Sequence, residues 1–545
     1  MVSVEGKIVD IHQREIFEGS VEVENGVIVD IKRHATSMKG YIIPGFIDSH
    51  MHIESSMLTP QHFGQLVIQQ GTVAVVTDPH EIANVMGVEG IEFMRENSKK
   101  SPIKTFFSIP SCVPATPFDV SGSSISPGET EEMAASGHFV ALSEVMNVPG
   151  VLARDEDMMA KLDAAKRHHL PIDGHAPALR GEELASYAGC GISVDHECVT
   201  LEEAEEKIGV GMKILIREGS AAQNYEALKP LIKIDPDNVM FCTDDSHPDD
   251  IMALGHINKI VKRAVADGFD LFDVLKIASV NPLIHYKQDV GLLRVGDKAD
   301  FIIVDNLKTF DTEKVYIDGM KQYDADWKDV ADKIPSEQIM LNNFVHDKVE
   351  LSALKKAVFG TEKIISLIQN ELLTVAYDYT PEEPMDNLES DKKNDVVKIV
   401  YINRYQNGAP QVAFCKGFNL KHGAFGSSVA HDSHNIIAVG CSDRELQAVV
   451  NAIIEHKGGL AVCDVDKTDV LPLPLGGIMS DQSGESVASS YKYLCNRVQE
   501  MGCRLHAPFM TLSFLSLVVI PEIKIGEKGL FSYPDFNWCS LVEQE

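Results

Sequence analysis

From about residue 42 to 285 the chain repeats one pattern eight times: a short apolar run closes on polar residues, and a helix-like segment follows. The runs are YIIPGFIDSH, VAVVTDPH, TFFSIP, FVALSEV, LPIDGH, ISVDHE, KILIREG and NVMFCTDD. Eight strand-and-helix units in about 245 residues predict an α/β chain built on a (β/α)8 barrel.

Both flanks read differently. Residues 1–41 alternate apolar and polar positions, as in Val21-Glu22-Val23-Glu24, and Asn25-Gly26 is a hairpin turn signal. Strand-like patterning resumes in GLLRVGDKADFIIVD from Gly291 and continues to a second tight turn at Asp318-Gly319. The economical arrangement puts 1–41 and 286–334 in one small β-domain beside the barrel at 42–285. Residues 335–545 are long enough for a further α+β domain, with an exposed loop near 380–393, rich in Pro, Glu and Asp.

Composition narrows the class. The chain has 545 residues, 44% of them apolar, and a formal net charge of −32. It can bury large cores, and so acidic a surface repels nucleic acid and anionic membranes, both polyanions. A small uncharged nucleobase is not excluded. Ten cysteines occur without a CxxC pair, and the longest apolar stretch, 509–520, falls short of a membrane span. A soluble protein of the reducing cytoplasm is expected.

The chemistry begins at Asp48-Ser49-His50-Met51-His52, where the first run ends. Residues i and i+2 of a strand point to one side, so His50 and His52 can converge on one ion. Metal-ligand residue types recur at the ends of later runs: Glu144, His175, His196 and Asp244. Their separations of 92, 31, 21 and 48 residues put them on barrel strands 1, 4, 5, 6 and 8. Barrel active sites lie at that end of the strands. Four imidazoles and two carboxylates suit Zn, Fe or Mn rather than Ca or Mg, and six ligands exceed what one catalytic zinc uses. Two divalent transition metals bridged by Glu144 and a hydroxide fit the count.

PGFIDSHMH, the strand-end His175, His196 and Asp244, and the return through GLLRVGDKADFIIVD resemble the amidohydrolase superfamily. Within it, TDPHEIANV, PSCVPATPF, ALSEVMNVPGV, DGHAP, CTDDSHPDD and SSVAHDSHNIIAVG resemble the bacterial and archaeal adenine deaminase family over nearly the whole chain. The resemblance implies hydrolysis of adenine to hypoxanthine and ammonia in purine salvage, on a dinuclear Mn(II) or Fe(II) centre, with Zn(II) a third option. The alternative is another cyclic amide or amidine hydrolase of the superfamily: a different purine deaminase, a hydantoinase or a dihydroorotase.

For that chemistry Asp244 is the candidate proton shuttle as well as a ligand. Glu81 is the candidate for delivering a proton to the ring or binding its N–H edge, with His80 beside it. Asp245, His247 and Ser111 are candidates for lining the substrate pocket. Glu54 and Ser55 could orient the imidazoles that precede them. Cys112, Cys198 and Cys242 read as packing residues. His431-Asp432-Ser433-His434 reads as a loop packed on the barrel mouth or a neighbouring subunit, with a second metal site as the alternative. Residues 202–207 read as a solvated helix face. A homo-oligomer, dimer or higher, is expected for an enzyme of this size.

Overall fold

The computed structural model describes residues 1–326, 341–368 and 371–539. The chain opens with β1 (Val2–Asp10), β2 (Glu15–Glu24) and β3 (Val27–Arg33), an antiparallel meander. Asn25 and Gly26 both take positive φ, 51° and 82°, as a two-residue hairpin turn of this hand requires. Strand β4 (Tyr41–Pro44) then runs parallel to β1.

The barrel follows directly: β5 (Phe46–Met51), β6 (Thr72–Thr77), β7 (Lys104–Ile109), β8 (Phe139–Val145), β9 (Ile172–Gly174), β10 (Ile192–Asp195), β11 (Lys213–Arg217) and β12 (Val239–Cys242). Each pairs in parallel with the next, so the sheet order is the chain order. Closure comes through a bridge between Met51 and Asp244, and the Asp244 N–H donates to the His50 carbonyl at 3.0 Å. The eight strands match the eight apolar runs. Val76, Ala141, Val194, Leu215 and Met240, each from a different strand, pack together in one buried cluster.

Strands β13 (Phe301–Val304), β14 (Thr312–Ile317) and β15 (Met320–Asp324) return to the first sheet, whose order is β15-β14-β13-β4-β1-β2-β3. Only Phe301–Val304 of the strand-like stretch from Gly291 is a strand. The rest folds as turns anchored on buried Asp300, which accepts from the Gly291 N–H at 2.8 Å and the Asp318 N–H at 2.8 Å. The expected boundary at 334/335 lies outside the described residues.

C-terminal to this, a nine-stranded sheet spans residues 362–472. Helix Asp443–Glu455 covers one face with Leu446, Val449, Val450 and Ile453, against Val400, Ile436 and Ala461. This domain sits on the barrel: the Ser480 N–H donates to the Met57 carbonyl at 2.8 Å, and Asn435 Nδ2 donates to the Val120 carbonyl at 2.8 Å. Among the described residues no helix is long and apolar enough to cross a membrane.

One expectation is corrected. Residues 202–207 are not wholly solvated: Glu203 and Lys207 are buried, and Lys207 Nζ reaches Glu203 at 2.8 Å, Asp195 at 3.2 Å and the Ala176 carbonyl at 2.7 Å. Charge alone does not expose a side chain when a buried partner awaits it.

Candidate metal centre

Six side chains from five strand ends meet at the C-terminal mouth of the barrel. His50 is on β5 and His52 just beyond it, with ring centroids 4.9 Å apart. Glu144 lies near the end of β8, and His175 and His196 directly follow β9 and β10. Asp244 stands two residues past β12, in a left-handed conformation (φ 52°). The ligand atoms form overlapping groups, each within 4.8 Å: His50, His196 and Asp244; Glu144, His175 and His196; His52, Asp78, His80 and Glu144.

Glu144 sits between two sets of imidazoles. Its Oε1 faces His52 Nε2 at 3.2 Å, His80 Nδ1 at 3.4 Å and His50 Nε2 at 3.9 Å. Its Oε2 faces His175 Nδ1 at 2.8 Å and His196 Nε2 at 3.3 Å. Asp244 divides its oxygens similarly: Oδ1 lies 3.1 Å from His52 Nε2, while Oδ2 accepts from Arg217.

The electrostatics follow from burial working against close partners. Burial by itself would raise the Glu144 carboxyl, but hydrogen bonds from His175, His196 and His52 hold it well below the usual range. Asp244 is likewise held low against burial, by the Arg217 charge and by His52. Burial and the neighbouring His196 push His50 well below the ordinary imidazole value. His50 Nε2 is buried and without a hydrogen-bond partner. A neutral imidazole nitrogen in such a setting, beside ionised carboxylates, fits a transition-metal site.

The amidohydrolase family model matches residues 41–321, and the adenine deaminase C-terminal domain model matches residues 371–537. The adenine deaminase of Methanosarcina mazei is 47% identical over 99% of both chains. That of Sulfurovum sp. is 49% identical over 98% of this chain and 99% of its own, and that of Borreliella burgdorferi 45% over 98% and 99%. The chain belongs to the adenine deaminase family of amidohydrolases. Amidohydrolases are metal-dependent, and the His and carboxylate cluster is where this member can hold metal.

Around the cluster, His80 and Glu81 open the helix His80–Ser98. His80 Nδ1 is 3.1 Å from Asp78 Oδ2, and Nε2 is 3.8 Å from Asp432 Oδ1 of the C-terminal domain. Ser55 Oγ lies 2.7 Å from Glu81 Oε1 and 2.5 Å from Asp245 Oδ1, so Ser55 links two candidate residues instead of orienting an imidazole. Glu54 accepts from the Ile82 N–H at 3.2 Å. Burial and the nearby Glu81 push the Glu54 carboxyl up to about 8. His52 Nδ1 is oriented by the Asp78 carbonyl at 3.0 Å.

Two of the pocket candidates make contacts of their own. Ser111 Oγ donates to the Glu144 carbonyl at 2.7 Å, so it braces β8 and has no free donor for a ligand. His247 packs its ring on Tyr491, with centroids 4.5 Å apart. Cys112, Cys198 and Cys242 are buried thiols.

Glu197 and Arg217 join the cluster although neither is among the residues expected from the sequence. Glu197 Oε1 is 3.5 Å from His196 Nε2 and 3.7 Å from His175 Nδ1, and Arg217 donates to both Glu197 and Asp244. Both were detectable by position: Glu197 follows a strand-end ligand, and Arg217 ends the seventh strand, which had been assigned no functional group.

Proposed function

We propose that this chain hydrolyses adenine to hypoxanthine and ammonia, with two divalent metals held by His50, His52, Glu144, His175, His196 and Asp244. The observation that carries the reading is Glu144, whose two oxygens face two separate sets of imidazoles, the disposition a bridging carboxylate needs. When bound, such a metal pair lowers the pKa of water enough to supply a nucleophile at neutral pH. Mn(II) or Fe(II) is the favoured pair, with Zn(II) compatible with the same donors.

The protein's own groups handle protons and orientation. Asp244, with Oδ2 fixed by Arg217, takes the water proton at Oδ1. Glu81, held by Ser55, gives a proton to the ring nitrogen or binds its N–H edge, and His80 and Asp245 flank it. Water adds at C6, Asp244 passes its proton to the exocyclic amine, which leaves as ammonia, and the hydroxyl proton of the adduct returns to Glu81 as the carbonyl forms. Arg217 is committed to Glu197 and Asp244, which weighs against a carboxylate substrate of the dihydroorotate type.

Ten free cysteines suit a reducing compartment, and we assign the enzyme to cytoplasmic purine salvage, as a homo-oligomer. The test follows ammonia release from adenine, adenosine and 5′-AMP after reconstitution with Mn(II), Fe(II) or Zn(II), beside Asp244→Asn. Turnover of adenine alone, lost in the variant, supports the reading. Two bound metals with no release from any of the three substrates overturns it in favour of a cyclic-amide hydrolase.

A further inference from the structure

The turn formed by residues 431–434 joins the C-terminal strands Ala424–Ala430 and Asn435–Gly440 and projects onto the barrel mouth. Its backbone is fixed on every side. The His431 N–H donates to the Ser513 carbonyl at 3.2 Å, Ser516 Oγ donates to the His431 carbonyl at 3.1 Å, and Tyr405 Oη donates to the Ser433 carbonyl at 2.6 Å. The His434 N–H donates to the Ala430 carbonyl at 2.6 Å, and the His431 ring stacks on Phe514 with centroids 4.5 Å apart.

Two side chains of this fixed turn keep polar atoms without partners although they are buried. They are Asp432 Oδ2 and both ring nitrogens of His434, in residues 4% and 0% exposed. Both residues face the barrel helix that opens at His80, Asp432 through its other oxygen, Oδ1. His434 Nε2 lies 3.9 Å from Glu81 Oε2, which is itself unpartnered, and Asp432 Oδ1 lies 3.8 Å from His80 Nε2. Buried polar groups are nearly always hydrogen-bonded, so a fixed cluster of unmatched donors and acceptors beside the metal-ligand cluster is built for a ligand. An imidazole nitrogen and a carboxylate oxygen 3.9 Å apart can address a planar edge that carries a donor and an acceptor side by side. A free purine base has such edges.

We propose that His434 and Asp432 of the C-terminal domain contact the substrate base together with Glu81, so that this domain supplies the specificity-determining wall of the barrel's active site. The proposal rests on the adenine reading above. The metal-holding side chains all come from the barrel, and base recognition is shared across the domain boundary.

The test uses full-length, metal-loaded enzyme carrying His434→Gln or Asp432→Asn, with metal content, kcat and KM for adenine and the inhibition constant of hypoxanthine measured for each. Losing one hydrogen bond to a buried group should raise KM and the hypoxanthine constant about ten-fold, with kcat less affected and metal content unchanged. A merely structural role would not move both binding constants while leaving the metal in place. Unchanged constants in both variants, or activity lost in proportion to metal, overturns the proposal. If His434→Gln does not fold, Asp432→Asn decides by the same criteria. If the metal-loaded parent enzyme releases no ammonia from adenine, the adenine reading itself fails and takes this inference with it.

Discussion

Arg217 donates a charge-assisted hydrogen bond to Asp244, across the mouth from β11 to the loop after β12. It fixes which Asp244 oxygen is available to the cluster and holds the carboxyl well below its usual range. Arg217→Lys keeps a charge but loses the planar fork that also grips Glu197. The expected loss of kcat is about 10–100-fold, the usual cost of removing a group that orients a ligand. In Arg217→Met the charge is gone as well, so the Asp244 carboxyl titrates higher, and its ionised form is lost as pH falls through that raised value. The acid limb of the pH–rate profile should therefore move to higher pH, and an unmoved limb would refute this role.

Glu144 faces both imidazole sets, so Glu144→Ala should disturb both metal positions together. Metal analysis is expected to find fewer than two ions per chain. Thermal unfolding should lose the stabilisation that bound metal gives, about 2.7 kcal/mol when free metal is 100 times its dissociation constant. Chelation of the parent enzyme should lower its midpoint similarly, and the variant should then respond little to chelator. Two retained ions would remove Glu144 from the bridging role.

Glu81 stands apart from the six proposed ligands, so Glu81→Gln separates proton transfer from metal binding. Metal content should remain that of the parent, while kcat falls by about 10²–10⁴-fold, the range for a general acid or base. Parallel loss of metal would make Glu81 a structural support instead.

Outside the ligand cluster, Lys524 is fully buried, with its ammonium 2.8 Å from the Leu372 carbonyl, and burial lowers its pKa to about 7. The unfolded chain holds the proton up to about pH 10.5, so it binds more protons than the folded chain between pH 7 and that value, and stability rises with pH there. Below pH 7 the full cost of burying the charge applies. Lys524→Met should raise stability at pH 6 by on the order of 1–4 kcal/mol, with the gain shrinking as pH climbs toward 10. A pH-independent difference in denaturant midpoint would contradict this.

The barrel was legible because its rules are local. An apolar run ending in polar residues is a strand arriving at the functional face, and chain spacing alone puts His50, His52, Glu144, His175, His196 and Asp244 on that face. The Asn25-Gly26 turn was equally plain, since few residue pairs take two positive φ angles in succession. Where glycine, charge and alternation overlap, as in 291–300, pattern does not separate strand from turn. The buried anchor Asp300 made the difference.

What the sequence could not reach are contacts between side chains on separate elements. Nothing near Glu81 announces that Ser55 holds it and His434 faces it, or that Arg217 ties Glu197 to Asp244. By itself the sequence determined the fold class, the strand ends and the residue types gathered at the mouth, because periodicity and spacing are one-dimensional. Tertiary structure alone decided which oxygen meets which nitrogen and which domain roofs the site. Those depend on how separate elements pack, and hydrogen bonding falls away within an ångström of its best distance.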